Sequence, residues 1–147
     1  LAWLLEDGSR KFYAELVSLS RDKEAVALFQ KLSKAEERHQ ASLGNLYKEL
    51  SGRPFDSEFP KNHIREEPSG ERMEGGMLLH EAVQWAGKKS LKEILELSIS
   101  LESNAYDLYL KMERKMGSEN AKKVFKVLST EEKQHLEQLA SLLEKRL

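Results

Sequence analysis

The strongest constraint on the fold is an internal repeat in which residues 96 positions apart match without a gap. The matching pairs are Glu6/Glu102, Tyr13/Tyr109, Phe29/Phe125, Leu32/Leu128, Glu36/Glu132, His39/His135 and Leu43/Leu139. Self-similarity at one fixed offset indicates a repeated structural unit. The sequence therefore predicts two similar halves related by a pseudo-twofold axis.

Each half has the pattern of two helices joined by a very short turn. Apolar residues recur at helical spacing, and the predicted helices span 1–20 and 23–50 in the first half and 90–116 and 118–147 in the second. Asp22 and Ser118 are predicted N-caps, and Ser90 with Glu93 has capping-box spacing. Such short turns favour antiparallel packing of the two helices in each half.

The segment between the halves, residues 51–89, is rich in Gly and Pro up to residue 76 and is predicted to be a crossover. A short extra helix is expected at about residues 77–86. The predicted fold is all-α: an antiparallel four-helix bundle of two repeated hairpins with a long crossover, forming a single domain over 1–147. Because Leu1 already lies in a helical pattern, this domain is also interpreted as a possible fragment of a longer chain.

Carboxylates and imidazoles interrupt the apolar stripes at matching heights. Glu6 and Glu36 each lie 15 residues from Arg21, which is about 22 Å along a helix. Glu102 and Glu132 are placed in the same way about Gly117. The residues predicted to converge on one layer of the bundle interior are Glu6, Glu36, His39, Glu102, Glu132 and His135.

Burying such groups without partners is costly, so a bound cation is the simplest explanation for them. One Glu from each of two helices and Glu-x-x-His from the other two is the ligand set of a carboxylate-bridged two-metal site. A single Glu-x-x-His is more often a solvated surface pair, but here two occur, each preceded by a Glu at the same 30-residue interval. Oxygen ligands with one imidazole per metal suit iron or manganese and accept zinc.

These motifs resemble the ferritin-like di-iron carboxylate superfamily and, within it, rubrerythrin-like domains. The resemblance implies a ferritin-like bundle and two iron ions that react with O2 or H2O2, so that the metal centre itself performs the chemistry. It implies that all four glutamates are ligands, two of them bridging, and that His39 and His135 are terminal ligands. It further implies an oxidoreductase of peroxidase or ferroxidase type.

The chain departs from typical rubrerythrins in two respects. It has no cysteine, so the four-cysteine rubredoxin-type domain is lacking from this sequence, and the electron donor is expected to be an external protein or a missing domain. The extra glutamate that rubrerythrins carry one turn after the third-helix ligand is replaced by Ala105, with Ser9 as its repeat mate. This replacement leaves open whether the protein reduces peroxide efficiently.

The helical positions of the residues around the predicted ligands indicate their roles. Tyr13 and Tyr109 lie two turns after a ligand Glu, which favours hydrogen bonds to ligand carboxylates over simple core packing. Glu37 and Glu131 adjoin ligands but point about 100° away, so solvated positions are predicted for both. Two further histidines lie outside the repeat and are not expected to be ligands: His63 and His80.

Composition restricts the remaining functional classes. The formal net charge is −1 and charged residues are 33%, so neither a nucleic-acid partner nor a membrane-spanning role is expected. A cytoplasmic location and a possible homodimer are the default expectations. Two alternatives to an oxidoreductase stay open: ferritin-type iron oxidation and storage, and a non-catalytic, metal-stabilised sensing or docking module of a larger protein.

Overall fold

The computed structural model describes residues 2–52 and 71–147, which form an antiparallel bundle of four long helices. The elements are α1 (Ala2–Leu19), α2 (Lys23–Ser51), a 3₁₀ turn (Glu74–Gly76), α3 (Leu79–Ala86), α4 (Leu91–Lys115) and α5 (Glu119–Arg146). The all-α class predicted from the sequence is confirmed. Part of the predicted crossover, including His63, lies outside the described residues.

The helix starts follow from local hydrogen bonds that the sequence predicted. The Asp22 side chain accepts from the backbone N–H of Ala25, and Ser118 accepts from Ala121. Ser90 and Glu93 form a complete capping box at the start of α4. These bonds satisfy N–H groups that the first turn of a helix leaves without partners, so both predicted N-caps and the capping box are confirmed.

Two apolar clusters form the core, and the polar layer lies between them. The cluster nearest the α1–α2 turn includes Phe12, Leu16, Phe29, Leu32, Leu95 and Leu139. The cluster nearest the α4–α5 turn includes Leu43, Leu46, Ala105, Tyr109, Phe125 and Leu128. The helical periodicity of the sequence also predicts inner positions for Leu19 and Leu50. This prediction is wrong, because both residues lie in the last turns of their helices and are exposed.

The described end of the crossover returns to the bundle and packs on both α1 and α4. Met73 is fully buried there, in the cluster that includes Phe12. The short antiparallel bridge between Arg72 and Leu78 closes this segment on itself. Across the described ranges, none of the helices is both long and apolar enough to span a bilayer.

Gly8 is the contact point between α1 and this returning segment. A Cβ atom at Gly8 would lie 2.2 Å from the backbone oxygen of Arg72. We expect Gly8→Ala to lower the free energy of unfolding by about 1–3 kcal/mol in chemical denaturation, although alanine is the better helix former by up to about 1 kcal/mol. Gly117→Ala is the matched control, since a Cβ there meets no atom within 4 Å. Equal effects of the two substitutions would contradict the packing explanation.

Candidate metal centre

The six side chains predicted to converge do lie in one layer of the bundle interior. Glu6, Glu36, Glu102 and Glu132 are 0% exposed, and His39 and His135 are 1% and 4% exposed. α1 and α4 each supply one glutamate, and α2 and α5 each supply a Glu-x-x-His pair. Because residues three apart point the same way on a helix, each pair enters the interior together.

The layer divides into two groups of potential ligand atoms that share two members. In the first group, one ligand atom from each of Glu6, Glu36, His39 and Glu132 lies within 4.8 Å of the others. In the second group, the same holds for Glu36, Glu102, Glu132 and His135. Glu36 and Glu132 belong to both groups. This overlap is the arrangement of two adjacent cation positions joined by two carboxylates.

Glu132 shows the shared position most directly. Its Oε1 lies 3.0 Å from Nδ1 of His39, and its Oε2 lies 3.6 Å from Nδ1 of His135. The two imidazole rings are stacked, with centroids 6.1 Å apart and an interplanar angle of 26°. One carboxylate therefore faces both histidines, one oxygen to each.

Several of these buried atoms make no hydrogen bond to any residue in the described part of the chain. They are both carboxylate oxygens of Glu36 and of Glu132, Oε2 of Glu102, and Nδ1 of His39 and of His135. Buried polar atoms are nearly always paired in native proteins, because leaving one unpaired costs free energy. Carboxylate oxygens and imidazole nitrogens aimed at a common space are the donor set that Fe²⁺, Mn²⁺ or Zn²⁺ takes, so the residues present fit a pair of such ions.

The two tyrosines form reciprocal hydrogen bonds across the bundle. Tyr13 donates through its hydroxyl to Oε1 of Glu102 at 3.0 Å. Tyr109 donates through its hydroxyl to Oε1 of Glu6. Both rings are fully buried. The two bonds are equivalent under the 96-residue repeat, which relates Tyr13 to Tyr109 and Glu6 to Glu102. Each bond fixes the orientation of one carboxylate and leaves its second oxygen for another partner.

The electrostatics of the layer are dominated by its carboxylates. Burial lowers the pKa of His39, but the nearby carboxylates of Glu131, Glu132 and Glu6 outweigh burial and raise it to about 11. Burial raises the pKa of Glu132, but the neighbouring imidazoles of His135 and His39 outweigh burial, and the net pKa is lowered. Without a metal ion, the His39 imidazolium is therefore the cation that the carboxylates hold at neutral pH.

The predicted solvated position of Glu131 is wrong. Its side chain is only 32% exposed, and Oε2 lies 2.5 Å from Nε2 of His39. The hydrogen bond from His39 lowers the pKa of Glu131 more than burial raises it. A turn of 100° away from Glu132 carries Glu131 toward the neighbouring helix α2 rather than into water. Glu37 is exposed, as predicted, and so is His80.

Small residues on the inner helix faces of the sequence, Ser9, Ser98 and Ala105, predict an opening for a substrate beside the layer. Ser9 and Ser98 are 0% exposed and Ala105 is 1% exposed. The Ser98 hydroxyl donates to the backbone oxygen of Ile94, at 2.9 Å. Ser9 on α1 and Ala105 on α4 occupy the repeat-related positions at which typical rubrerythrins would carry the extra glutamate on the second of these helices. The structure thus encloses these residues within the bundle.

The comparison with protein families agrees with this geometry. The family model described as Rubrerythrin matches residues 81–146. Residues 81–146 are thus similar to the rubrerythrin family. The match covers α4 and α5 with most of α3, and the 96-residue repeat relates its two long helices to α1 and α2. This similarity supports a di-iron-binding protein of the ferritin-like type. No curated protein matches the chain.

Proposed function

We propose that this protein is a rubrerythrin-like oxidoreductase that binds two iron ions and reacts with O2 or H2O2. The observation that supports it most is the pair of ligand groups that overlap at Glu36 and Glu132. Glu6 and His39 would complete the coordination of one ion, and Glu102 and His135 that of the other. Tyr13 and Tyr109 would hold the terminal carboxylates in place.

The chemistry needs two electrons close together in a site screened from water. Two bound ferrous ions would supply one electron each, which with two protons reduces one H2O2 to two molecules of water. The four carboxylates would balance the charge of two ferrous ions and offset most of the charge of two ferric ions. The two apolar clusters lie on either side of the layer and exclude solvent. An external electron-donor protein would restore the ferrous state after each turnover.

The test uses the ferrous protein prepared under argon. After addition of one equivalent of H2O2 per chain, stopped-flow absorbance should show both ferrous ions oxidised much faster than the same concentration of free Fe²⁺. Glu36→Ala should remove this fast phase, whereas Glu37→Ala should retain it, because Glu37 is exposed beside the site. Oxidation no faster than that of free Fe²⁺ would contradict the proposal.

Size-exclusion chromatography separates this function from iron storage. A storage protein needs a closed shell of many subunits and would elute at hundreds of kilodaltons. We expect a monomer or a homodimer of the 16.9 kDa chain. Elution as a large shell that retains oxidised iron would favour a storage function instead.

A further inference from the structure

The two halves of the metal centre differ at one position that contacts a histidine. Glu131 accepts from Nε2 of His39, with the two atoms 2.5 Å apart. The residue 96 positions before Glu131 is Ala35, whose methyl group cannot accept a hydrogen bond. Among residues 2–52 and 71–147, both ion pairs of His135 involve its Nδ1 atom. The repeat therefore supplies a carboxylate behind one imidazole and not behind the other.

The position of Glu131 determines which nitrogen of His39 faces the centre. Because Nε2 of His39 contacts Glu131, Nδ1 faces Glu6, Glu36 and Glu132. When Nδ1 gives up its proton to bind a metal, its lone pair therefore points into the centre, and Nε2 keeps its proton. A carboxylate behind a metal-binding histidine fixes the tautomer and the ring orientation and increases the basicity of the ligand nitrogen. Loss of such a partner costs 10- to 100-fold in metal affinity.

A second difference rigidifies the same half. Asp7 and Gln40 directly follow Glu6 and His39, and the Gln40 amide donates to Oδ1 of Asp7 at 3.1 Å. Arg10 joins both side chains, donating to Asp7 at 2.8 Å and to Gln40 at 3.2 Å. The repeat mates of Asp7 and Gln40 are Ser103 and Leu136, a pair that cannot form this amide–carboxylate bond. The contact holds α1 and α2 together beside Glu6 and His39.

The tyrosine bonds do not offset these differences, because each half receives one. Tyr109 binds Glu6 in one half, and Tyr13 binds Glu102 in the other. We therefore infer that Glu131 is a positioning residue that makes the two cation positions unequal, so that a divalent transition-metal ion fills the Glu6/His39 position before the Glu102/His135 position. This inference rests on the proposed metal centre.

The experiment is a stepwise titration of the metal-free protein with Co²⁺ in the presence of a competing chelator. The unaltered protein should bind two ions, with dissociation constants that differ by at least about tenfold. Glu131→Gln and Glu131→Ala should weaken the tighter step by about 10- to 100-fold and change the weaker step little, so that the two steps merge. Glu37→Gln is the matched control, because Glu37 is the exposed neighbour of the other shared ligand.

Two further variants assign the steps to positions. His39→Ala should abolish the tighter step, and His135→Ala should abolish the weaker one. Two bound ions whose affinities are unchanged in both Glu131 variants would overturn the inference and leave the metal centre intact. Loss of the tighter step in His135→Ala alone would overturn it as well. If the unaltered protein bound no Co²⁺ and no Fe²⁺, the proposed function itself would fail.

Discussion

Replacement of Glu36 by alanine should reduce the metal content of the purified protein from about two ions per chain to less than about half an ion. Glu36 belongs to both groups of ligand atoms, so its loss removes a ligand from each cation position at once. His135 belongs to one group only. His135→Ala should therefore remove mainly one ion, and the loss from Glu36→Ala should be the larger.

The measurement is iron, manganese and zinc per chain, by elemental analysis after gentle purification and again after reconstitution with Fe²⁺. Glu37→Ala is the control on the same helix, and it should retain the metal content of the unaltered protein because Glu37 is exposed. Similar losses in all three variants would mean that the interior face of α2 does not bind the metal. Less than half an equivalent of any transition metal in the unaltered protein would argue against the metal centre altogether.

The layer could be predicted from the sequence because helical geometry fixes height and face. A constant rise per residue places Glu6 and Glu36 at one level when both are equally far from a turn. The caps at Asp22 and Ser118 define where each turn ends, and both are local hydrogen bonds that involve residues close in sequence. The 96-residue repeat then transfers the same geometry to the second half.

The role of Glu131 could not be predicted, because it depends on how two helices face each other. A helical projection of α5 alone shows that the side chains of Glu131 and Glu132 point about 100° apart. With Glu132 in the interior, this predicts a solvent-exposed Glu131. In the structure α2 occupies that direction, and Nε2 of His39 meets the carboxylate. The available signal was the repeat itself, since Glu131 replaces the apolar Ala35 at a position that its mate shows to be interior.

The sequence patterns also did not predict that the end of the crossover packs against the bundle. Met73 lies in a region rich in Gly and Pro, without helical periodicity, yet it is fully buried. Nothing in the sequence around Gly8 distinguishes it from other glycines within helices. Its lack of a side chain nevertheless allows the backbone of Arg72 to pack against α1. Both features depend on contacts between distant segments, which local propensity does not determine.

Glu36→Gln should change stability in opposite directions in the metal-free and the metal-loaded protein. Neither carboxylate oxygen of Glu36 makes a hydrogen bond within the described ranges, and the side chain is 0% exposed among three other carboxylates. A buried polar group without a hydrogen bond costs about 1–3 kcal/mol, and more when it is charged, so neutralising Glu36 should relieve a penalty of this size. An amide at this position also offers N–H donors to neighbouring carboxylates. The free energy of unfolding of the metal-free variant should therefore exceed that of the unaltered protein.

When Fe²⁺ or Co²⁺ is present in excess, the free energy of unfolding of Glu36→Gln should instead be lower than that of the unaltered protein. An ion at 100 times its dissociation constant stabilises the folded state by about 2.7 kcal/mol, and the variant loses most of this contribution at both positions. Chemical denaturation with and without metal, under argon, measures the four values, and Glu37→Gln should alter each by less than about 0.5 kcal/mol. If Glu36→Gln destabilised the metal-free protein as well, the carboxylate of Glu36 would be serving the fold through a protein partner. A carboxylate that destabilises the metal-free bundle and stabilises the metal-loaded bundle has metal binding as its role, because only the bound ion offsets the free energy of burying its charge.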